Sequence, residues 1–431
     1  MNQADVGQPG RGAGGAIPVV VRVYIEEAGC DRRRLDAESI RSYLTANGYA
    51  LVGDPARADK ILAVTCAFKQ DEENESVRRL RSLRKYGRDI VVYGCLADIA
   101  GERYTEFRDL PSVSPHNIDV IEQHFQPVGV AFADIPAANV LVRRRTDVTR
   151  VRRMVEAGTV PLQRAIDRAA RLFAGSAIAG FSSHDGSFNL FVCRGCQGSC
   201  SYCAIRRAIG PVRSKPVEKV TEELLRGLDS GYRTFSILGD DPGCYGADLS
   251  SSLPELMGAL FDTSESWTAA AEDRAVLGES IRFHIREIHP RHLVKQHEQL
   301  LQLPRFSSVA GILCPVQSGS DRILGLMQRH HTSSDLLLAI QHLRDQHPDL
   351  ELSTQIIVGF PSETEDDLAQ TLELVRAARF NSVVVFPYDD KQDAASSRLP
   401  GKIVDKEIRR RTRAAIRFFR RQGIPAYHSC P

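Results

Sequence analysis

Short apolar, β-branched runs alternate with helical patterns along most of this chain, and that alternation constrains the fold more than any other feature. Strand-like runs at Phe188–Cys193, Thr234–Leu238, Ile281–His284, Ser308–Cys314, Glu351–Val358 and Ser382–Phe386 are each followed by helical stretches. Strands separated by helix-length connections pair in parallel, with the helices carrying the chain back. Six such units predict a partial (β/α)6 barrel over residues 187–398, with its site at the carboxyl ends of the strands. A smaller alternation precedes it, with strands at Val19–Ile25, Lys60–Val64 and Asp89–Tyr93 and helices at Arg34–Asn47 and about Glu72 to Lys85. It predicts a small doubly wound parallel-sheet domain over residues 18–128, which binds ligands beyond its strand ends. The remainder reads as a flexible tail (1–17), a linker with one helix (129–186), and a basic C-terminal helix, Lys402 to Gln422, within a final segment (399–431).

Composition excludes several classes. The 431 residues are 42% hydrophobic and 26% charged, as in an ordinary soluble globular protein. A formal charge of only +2 gives no global electrostatic case for nucleic acid, so any such case is local. Arg143–Arg145 with Arg150, Arg152 and Arg153, and Arg409–Arg411 with Arg413, are the local candidates. Lacking interleaved aromatics, both read as solvated helix faces. The first residues are rich in Gly, and the apolar run after them is short and broken by Arg22, so neither an export signal nor a membrane span is expected. Ten cysteines without an export signal point to reduced thiols in a cytoplasmic protein.

Three of those cysteines, Cys196, Cys200 and Cys203, follow the first barrel strand on its expected functional side. This spacing offers three thiolates to one compact iron–sulfur cluster and leaves one iron without a protein ligand. Structural zinc usually closes with four ligands, so three point to an open, reactive site, with a zinc knuckle as the competing reading. Cys30, Cys66 and Cys95 each fall at or just after a strand end of the smaller domain and would converge at one edge. Gly239 and Asp240 close the second barrel strand with a tight turn whose carbonyls and carboxylates suit an ammonium group. The Gln317–Ser320 stretch follows a strand and opens a helix, where backbone N–H groups suit a carboxylate or ribose, although an ordinary loop with a Ser cap is the simpler reading. Cys193, Cys244, Cys314 and Cys430 read as buried or spare thiols, with a sulfur relay at Cys244 or Cys314 less favoured.

With Tyr202 before its last cysteine, the barrel trio resembles that of the radical S-adenosylmethionine (SAM) superfamily. Further matches narrow the resemblance. They are Gly29-Cys30, Thr65-Cys66 and Gly94-Cys95, Asp36 and Glu38, Arg213-Ser214 with Pro216, Tyr245-Gly246, Arg282 with His289-Pro290, Met327 with Arg329, and Ile356 to Pro361 with Glu363-Thr364. Over roughly residues 19–400 the chain resembles the methylthiotransferases, which insert sulfur into a C–H bond and methylate it. The resemblance implies that Cys196, Cys200 and Cys203 hold the SAM-cleaving [4Fe–4S] cluster. Cys30, Cys66 and Cys95 would hold a second [4Fe–4S] cluster whose open iron carries the sulfur. It assigns Tyr202, Arg213, Gly239, Asp240, Gln317, Ser318, Gly319 and Ile357 to SAM binding, and calls for a reducing partner such as flavodoxin or ferredoxin.

Three departures shape the expected substrate. Arg33 and Val64 stand where the family has asparagines, and Gln355 where an aspartate is common. No run of strands follows residue 400 to form the family's C-terminal TRAM-type β-barrel, and the segment between Cys95 and Cys196 is longer than usual. These departures and the near-neutral charge favour a peptide or small molecule as substrate. A tRNA adenosine is the alternative, and a radical SAM enzyme whose second cluster only transfers electrons is another.

Overall fold

The computed structural model of the chain describes residues 20–141, 186–270, 280–392 and 394–429. The flexible tail, most of the linker, the arginines from Arg143 to Arg153, and Cys430 lie outside the described residues.

Five parallel strands form the first sheet: β1 (Arg22–Glu26), β2 (Ala50–Val52), β3 (Lys60–Thr65), β4 (Asp89–Gly94) and β5 (Ser112–Val113), in the order β2-β1-β3-β4-β5. In the central β3 and β4 every residue but the first is buried, as parallel strands covered on both faces require. Helix α1 (Asp31–Ala46) covers one face with Ile40, Tyr43 and Leu44, and α2 (Gln70–Arg84) covers the other with Val77, Leu80 and Leu83. Strand order reverses between β1 and β3, and the crevice at such a switch point is where doubly wound sheets hold ligands. Two strands, β2 and β5, escaped the sequence reading because three and two residues are too few to show a period. Helix α1 starts three residues before the expected Arg34, because extended Cys30 is its N-cap and the Cys30 carbonyl accepts the Arg34 N–H at 3.0 Å.

The second sheet has the strands β6 (Phe188–Arg194), β7 (Arg213–Ser214), β8 (Thr234–Gly239), β9 (Arg282–Ile285), β10 (Val309–Leu313), β11 (Glu351–Val358), β12 (Ser382–Pro387) and β13 (Ala426–His428). Between them run α3 (Arg206–Ile209), α4 (Val217–Asp229), α5 (Leu253–Ala269), α6 (Pro290–Leu301), α7 (Asp321–Leu326), α8 (Ser333–Gln346), α9 (Glu365–Ala377) and α10 (Asp405–Arg421). The order β13-β12-β11-β10-β9-β8-β6-β7 is parallel throughout except for β7. The edge strands β13 and β7 do not pair, so the sheet is an open, partial barrel. The basic helix α10 buries Ile408, Ala415 and Phe419 and then leads into β13, which pairs with β12 and is too short to show a period in the sequence.

Several contacts weld the sheets together, and two lie closest to the cysteines. Ala204 and Ala208, beside the barrel trio, pack into the same apolar cluster as Cys95, Leu96 and Ile99 of the first sheet. Asp36 of α1, 2% exposed, receives the Tyr93 hydroxyl (2.6 Å), pairs with Arg33 (3.3 Å) and bonds Arg194 at the end of β6. Burial pushes the Asp36 carboxyl up, but Arg194 and Arg33 outweigh it and hold it below the ordinary carboxylate value. Removing one partner of such a buried set leaves uncompensated charge and costs about 3–5 kcal/mol. Asp36→Ala is therefore expected to lower the unfolding free energy from urea titration by that order, with the first sheet unfolding ahead of the second; an unchanged single transition would count against this lock.

Candidate functional site

The barrel trio sits on the loop after β6, in a nest of hydrogen-bond donors. Gly198 donates its N–H to Cys196 Sγ at 3.1 Å. A Cβ on Gly198 would lie 3.1 Å from Cys196 Sγ and 3.8 Å from Cys200 Sγ, so both sulfurs border space that only glycine leaves open. His289 caps α6, its Nδ1 accepting the Arg291 N–H at 3.2 Å, which puts the ring proton on Nε2, 3.6 Å from Cys200 Sγ. Burial, with Arg329 nearby, keeps that imidazole neutral. Arg329 donates to Cys200 Sγ (3.6 Å) and to the Tyr202 hydroxyl (3.0 Å). A hydrogen bond from the Cys244 thiol holds Cys196 below its ordinary value, whereas burial pushes Cys203 up to about 11.

The second trio lies at the switch point: Cys30 at the start of α1, Cys66 directly after β3, and Cys95 directly after β4. These thiols are close enough to influence one another's ionisation. Burial pushes Cys66 up to about 12 and Cys95 higher still. Arg33, 1% exposed, pulls both back down, and its Nη1 has no hydrogen-bond partner among the described residues. Three thiols beside a buried guanidinium suit an anionic iron–sulfur cluster, whose thiolates need positive charge nearby. The asparagine expected at position 33 would not bring that charge.

Between the trios runs a bridge of charge. Arg32, two residues after Cys30, donates to the Gly239 carbonyl (3.0 Å) and pairs with Asp240 (3.4 Å) and Glu287, while Asp240 accepts the Gly195 N–H at 2.8 Å. Both trios thus border one seam between the sheets.

The residues expected to bind SAM divide by what they do in this structure. Gly239, Asp240, Tyr202, Gln317 and Ile357 stand at the strand ends around the barrel trio. Gln317 has φ +65°, its carbonyl accepts the Ile357 N–H at 2.9 Å, and its buried Oε1 has no partner among the described residues. That idle acceptor fits a ligand hydroxyl or amine. Ser318 and Gly319 serve packing instead: the Ser318 hydroxyl lies 3.2 Å from Thr371 Oγ1, and a Cβ on Gly319 would strike the Gln370 carbonyl at 2.6 Å. Arg213 is on the edge strand β7, donating to the His116 carbonyl (2.9 Å) and facing Asp119 (3.7 Å) across the seam. Not foreseen were Arg32, whose position two residues after Cys30 is the one sequence signal, and Phe68. Phe68 is 46% exposed and meets Phe386 edge to face at 6.0 Å, with Lys69 Nζ 5.1 Å above the Phe386 ring.

Comparison with known proteins decides the family. Residues 190–375 match the Radical SAM superfamily, and residues 22–112 match Uncharacterized protein family UPF0004. A tRNA-2-methylthio-N(6)-dimethylallyladenosine synthase from Sorangium cellulosum is 30% identical over 89% of this chain and 74% of its own. The chain belongs to the radical SAM methylthiotransferases. This methylthiotransferase is also 28% identical to a probable threonylcarbamoyladenosine tRNA methylthiotransferase from Pyrococcus horikoshii, over 90% of this chain and 83% of that protein. It is 29% identical to a ribosomal protein uS12 methylthiotransferase, RimO, from Thermotoga, over 91% of this chain and 81% of that one. In fold it is similar to the radical SAM methyltransferase TsrM from Kitasatospora setae (TM-score 0.54, 11% identity, 85% of this chain and 75% of that). The cobalamin-dependent radical enzyme OxsB gives TM-score 0.50 and 14% identity, over 94% of this chain and 56% of its own. The methylthiotransferase is an enzyme of the class that uses a [4Fe–4S] cluster and SAM. No helix among the described residues is long and apolar enough to cross a membrane.

The raised Cys66 thiol gives a pH signature. Its ordinary value is 9.0 and its folded value about 12, so the unfolded chain ionises first and the iron-free fold loses stability as pH rises from 9.0 toward 12. Thermal melts of the iron-free protein are expected to fall over that window, with a shallower fall for Cys66→Ser; equal slopes would show that Cys66 does not carry it.

Proposed function

We propose that this methylthiotransferase acts on tRNA and replaces a hydrogen of an adenosine with a methylthio group. In this reading Cys196, Cys200 and Cys203 hold one [4Fe–4S] cluster, and Cys30, Cys66 and Cys95 hold a second. The observation that carries the reading is that relatives spanning about nine-tenths of the chain bear the names of tRNA adenosine methylthiotransferases. The departures and the near-neutral charge favour a peptide or small molecule from sequence, and the relatives outweigh them; a protein substrate has support from the uS12-named relatives.

When bound, SAM and the clusters supply the carbon-centred radical chemistry and the methylthio group, with electrons from a reductant such as flavodoxin or ferredoxin. The chain's own part is to hold, orient and dry the site. Asp240, fastened by Gly195 and Arg32, presents a fixed carboxylate for the ammonium of SAM, and the idle Gln317 Oε1 accepts from its nucleoside end. Ile357, Met327 and Phe360, with Tyr202 beside them, make an apolar wall that excludes water next to the barrel trio. At the seam, Phe68 stands two residues from Cys66 and opposite Phe386 at the end of β12, with the Lys69 ammonium beside both rings. An exposed ring beside a cation offers a nucleobase a stacking face and its phosphate a partner.

Two measurements test this. Nucleoside profiling of tRNA from a deletion strain is expected to lose a methylthioadenosine species, restored by the intact gene but not by a Cys66→Ala copy. An unchanged tRNA profile would refute the substrate. In vitro, stacking of about 1–3 kcal/mol per base predicts that Phe68→Ala raises KM for tRNA roughly five- to 150-fold. Release of 5'-deoxyadenosine should be preserved in that variant, and Phe68→Trp should restore KM.

A further inference from the structure

We infer that Cys196, Cys244, Asp241 and His292 form a binding site for one divalent ion of the zinc class, occupied when the barrel trio carries no cluster, so that Cys196 is contested by two metals. The site is built by the turn after β8. Asp241, Pro242, Gly243 and Cys244 turn tightly there, with the Asp241 carboxylate accepting the Gly243 N–H. A Cβ on Gly243 would lie 2.5 Å from His292 Cβ, so only glycine lets α6 rest directly on this turn. Gln296 fastens the contact, its Nε2 donating to the Gly243 carbonyl at 3.0 Å.

Asp241 is buried, and its two oxygens are used differently. Oδ1 accepts backbone N–H groups from Gly243 (3.2 Å) and His289 (3.3 Å), which fixes the carboxylate. Oδ2 then faces Cys244 Sγ at 3.2 Å, His292 Nε2 at 3.5 Å and Cys196 Sγ at 3.7 Å, while Cys244 Sγ and His292 Nε2 are 3.2 Å apart. The ligand atoms of Cys196, Asp241 and Cys244 all lie within 4.8 Å of one another. Zinc bonds of about 2.3 Å to sulfur and about 2.0–2.1 Å to nitrogen or oxygen place neighbouring tetrahedral ligand atoms roughly 3.3–3.8 Å apart. The contacts around Oδ2 match that spacing before any ion is present, whereas His292 stands outside the mutually close trio of Cys196, Asp241 and Cys244 and has to close on Cys196 when the ion enters. The Arg291 side chain donates its Nε–H to His292 Nε2 at 3.1 Å, which marks Nε2 as the lone-pair nitrogen. Arg291, part exposed, has to swing away for the ion to enter. Binding exchanges the two thiol protons for the cation and releases them to solvent.

The ion-binding half of this inference stands on these four side chains. The competition half rests on the assignment of Cys196 to a cluster, so each half has its own test. In the full-length chain carrying Cys200→Ala and Cys203→Ala, which leaves Cys196 the only cysteine of its trio, cobalt(II) is titrated under anaerobic, iron-free conditions. Adding Cys244→Ala is expected to remove one equivalent of bound cobalt together with tetrahedral thiolate–cobalt absorption, and adding His292→Ala instead is expected to weaken binding. Identical stoichiometry and spectra with and without Cys244 would overturn the site. For the competition, one equivalent of zinc is expected to slow iron and sulfide uptake by the chain with all its cysteines, and this slowing is expected to be lost in Cys244→Ala. Equal slowing in both would overturn the contest for Cys196, whatever the substrate of the enzyme proves to be.

Discussion

A carboxylate buried between two guanidiniums sets the distance on which the rest of this structure depends. Asp36 receives Arg33 from its own helix, Arg194 from the barrel strand that leads into the second cysteine trio, and the Tyr93 hydroxyl from the strand that leads into Cys95. One side chain therefore touches the supports of both trios. Within this set two guanidiniums meet one carboxylate, while Arg32 farther along the seam meets two, Asp240 and Glu287, so the named charges balance across the seam. A second pair, Lys391 and Glu73 at 2.8 Å, closes the seam farther along, and Asp389 accepts the Gln70 N–H at 2.7 Å.

Each trio is set up by ordinary strand-end geometry. Parallel strands deliver their following loops to one side, so cysteines placed just after β1, β3 and β4 meet at a switch point, and those after β6 meet at the mouth of the barrel. The shells around them differ. The barrel trio is surrounded by neutral or cationic donors, Gly198, His289 and Arg329, that bond sulfur directly. The other trio relies on burial and on the cation of Arg33.

Much of this was legible in the sequence, and the parts that were not share a cause. Long strands and helices carry enough residues to show a period, so β3, β4, β6 and β11 stand within a residue of where the pattern put them, and the six cysteines fall at the ends of strands. The two- and three-residue strands β2, β5, β7 and β13 have no period to read. Contacts across long separations were equally silent. Nothing in the sequence pairs Asp36 with Arg194, 158 positions away, or places Phe68 against Phe386. Ser318 and Gly319 show the opposite ambiguity, since small residues in a strand-to-helix loop suit a ligand and a neighbouring helix equally well. Here Thr371 of α9 takes both of their polar groups.

The central claim, two separate three-thiolate sites facing one seam, is tested most directly by counting iron in the full-length protein loaded under anaerobic conditions. A [4Fe–4S] cluster at each site predicts about eight irons per chain, falling to about four when Cys30, Cys66 and Cys95 are all replaced by alanine, with 5'-deoxyadenosine still released from SAM. About four irons in the unaltered chain, or eight surviving the triple replacement, would contradict it.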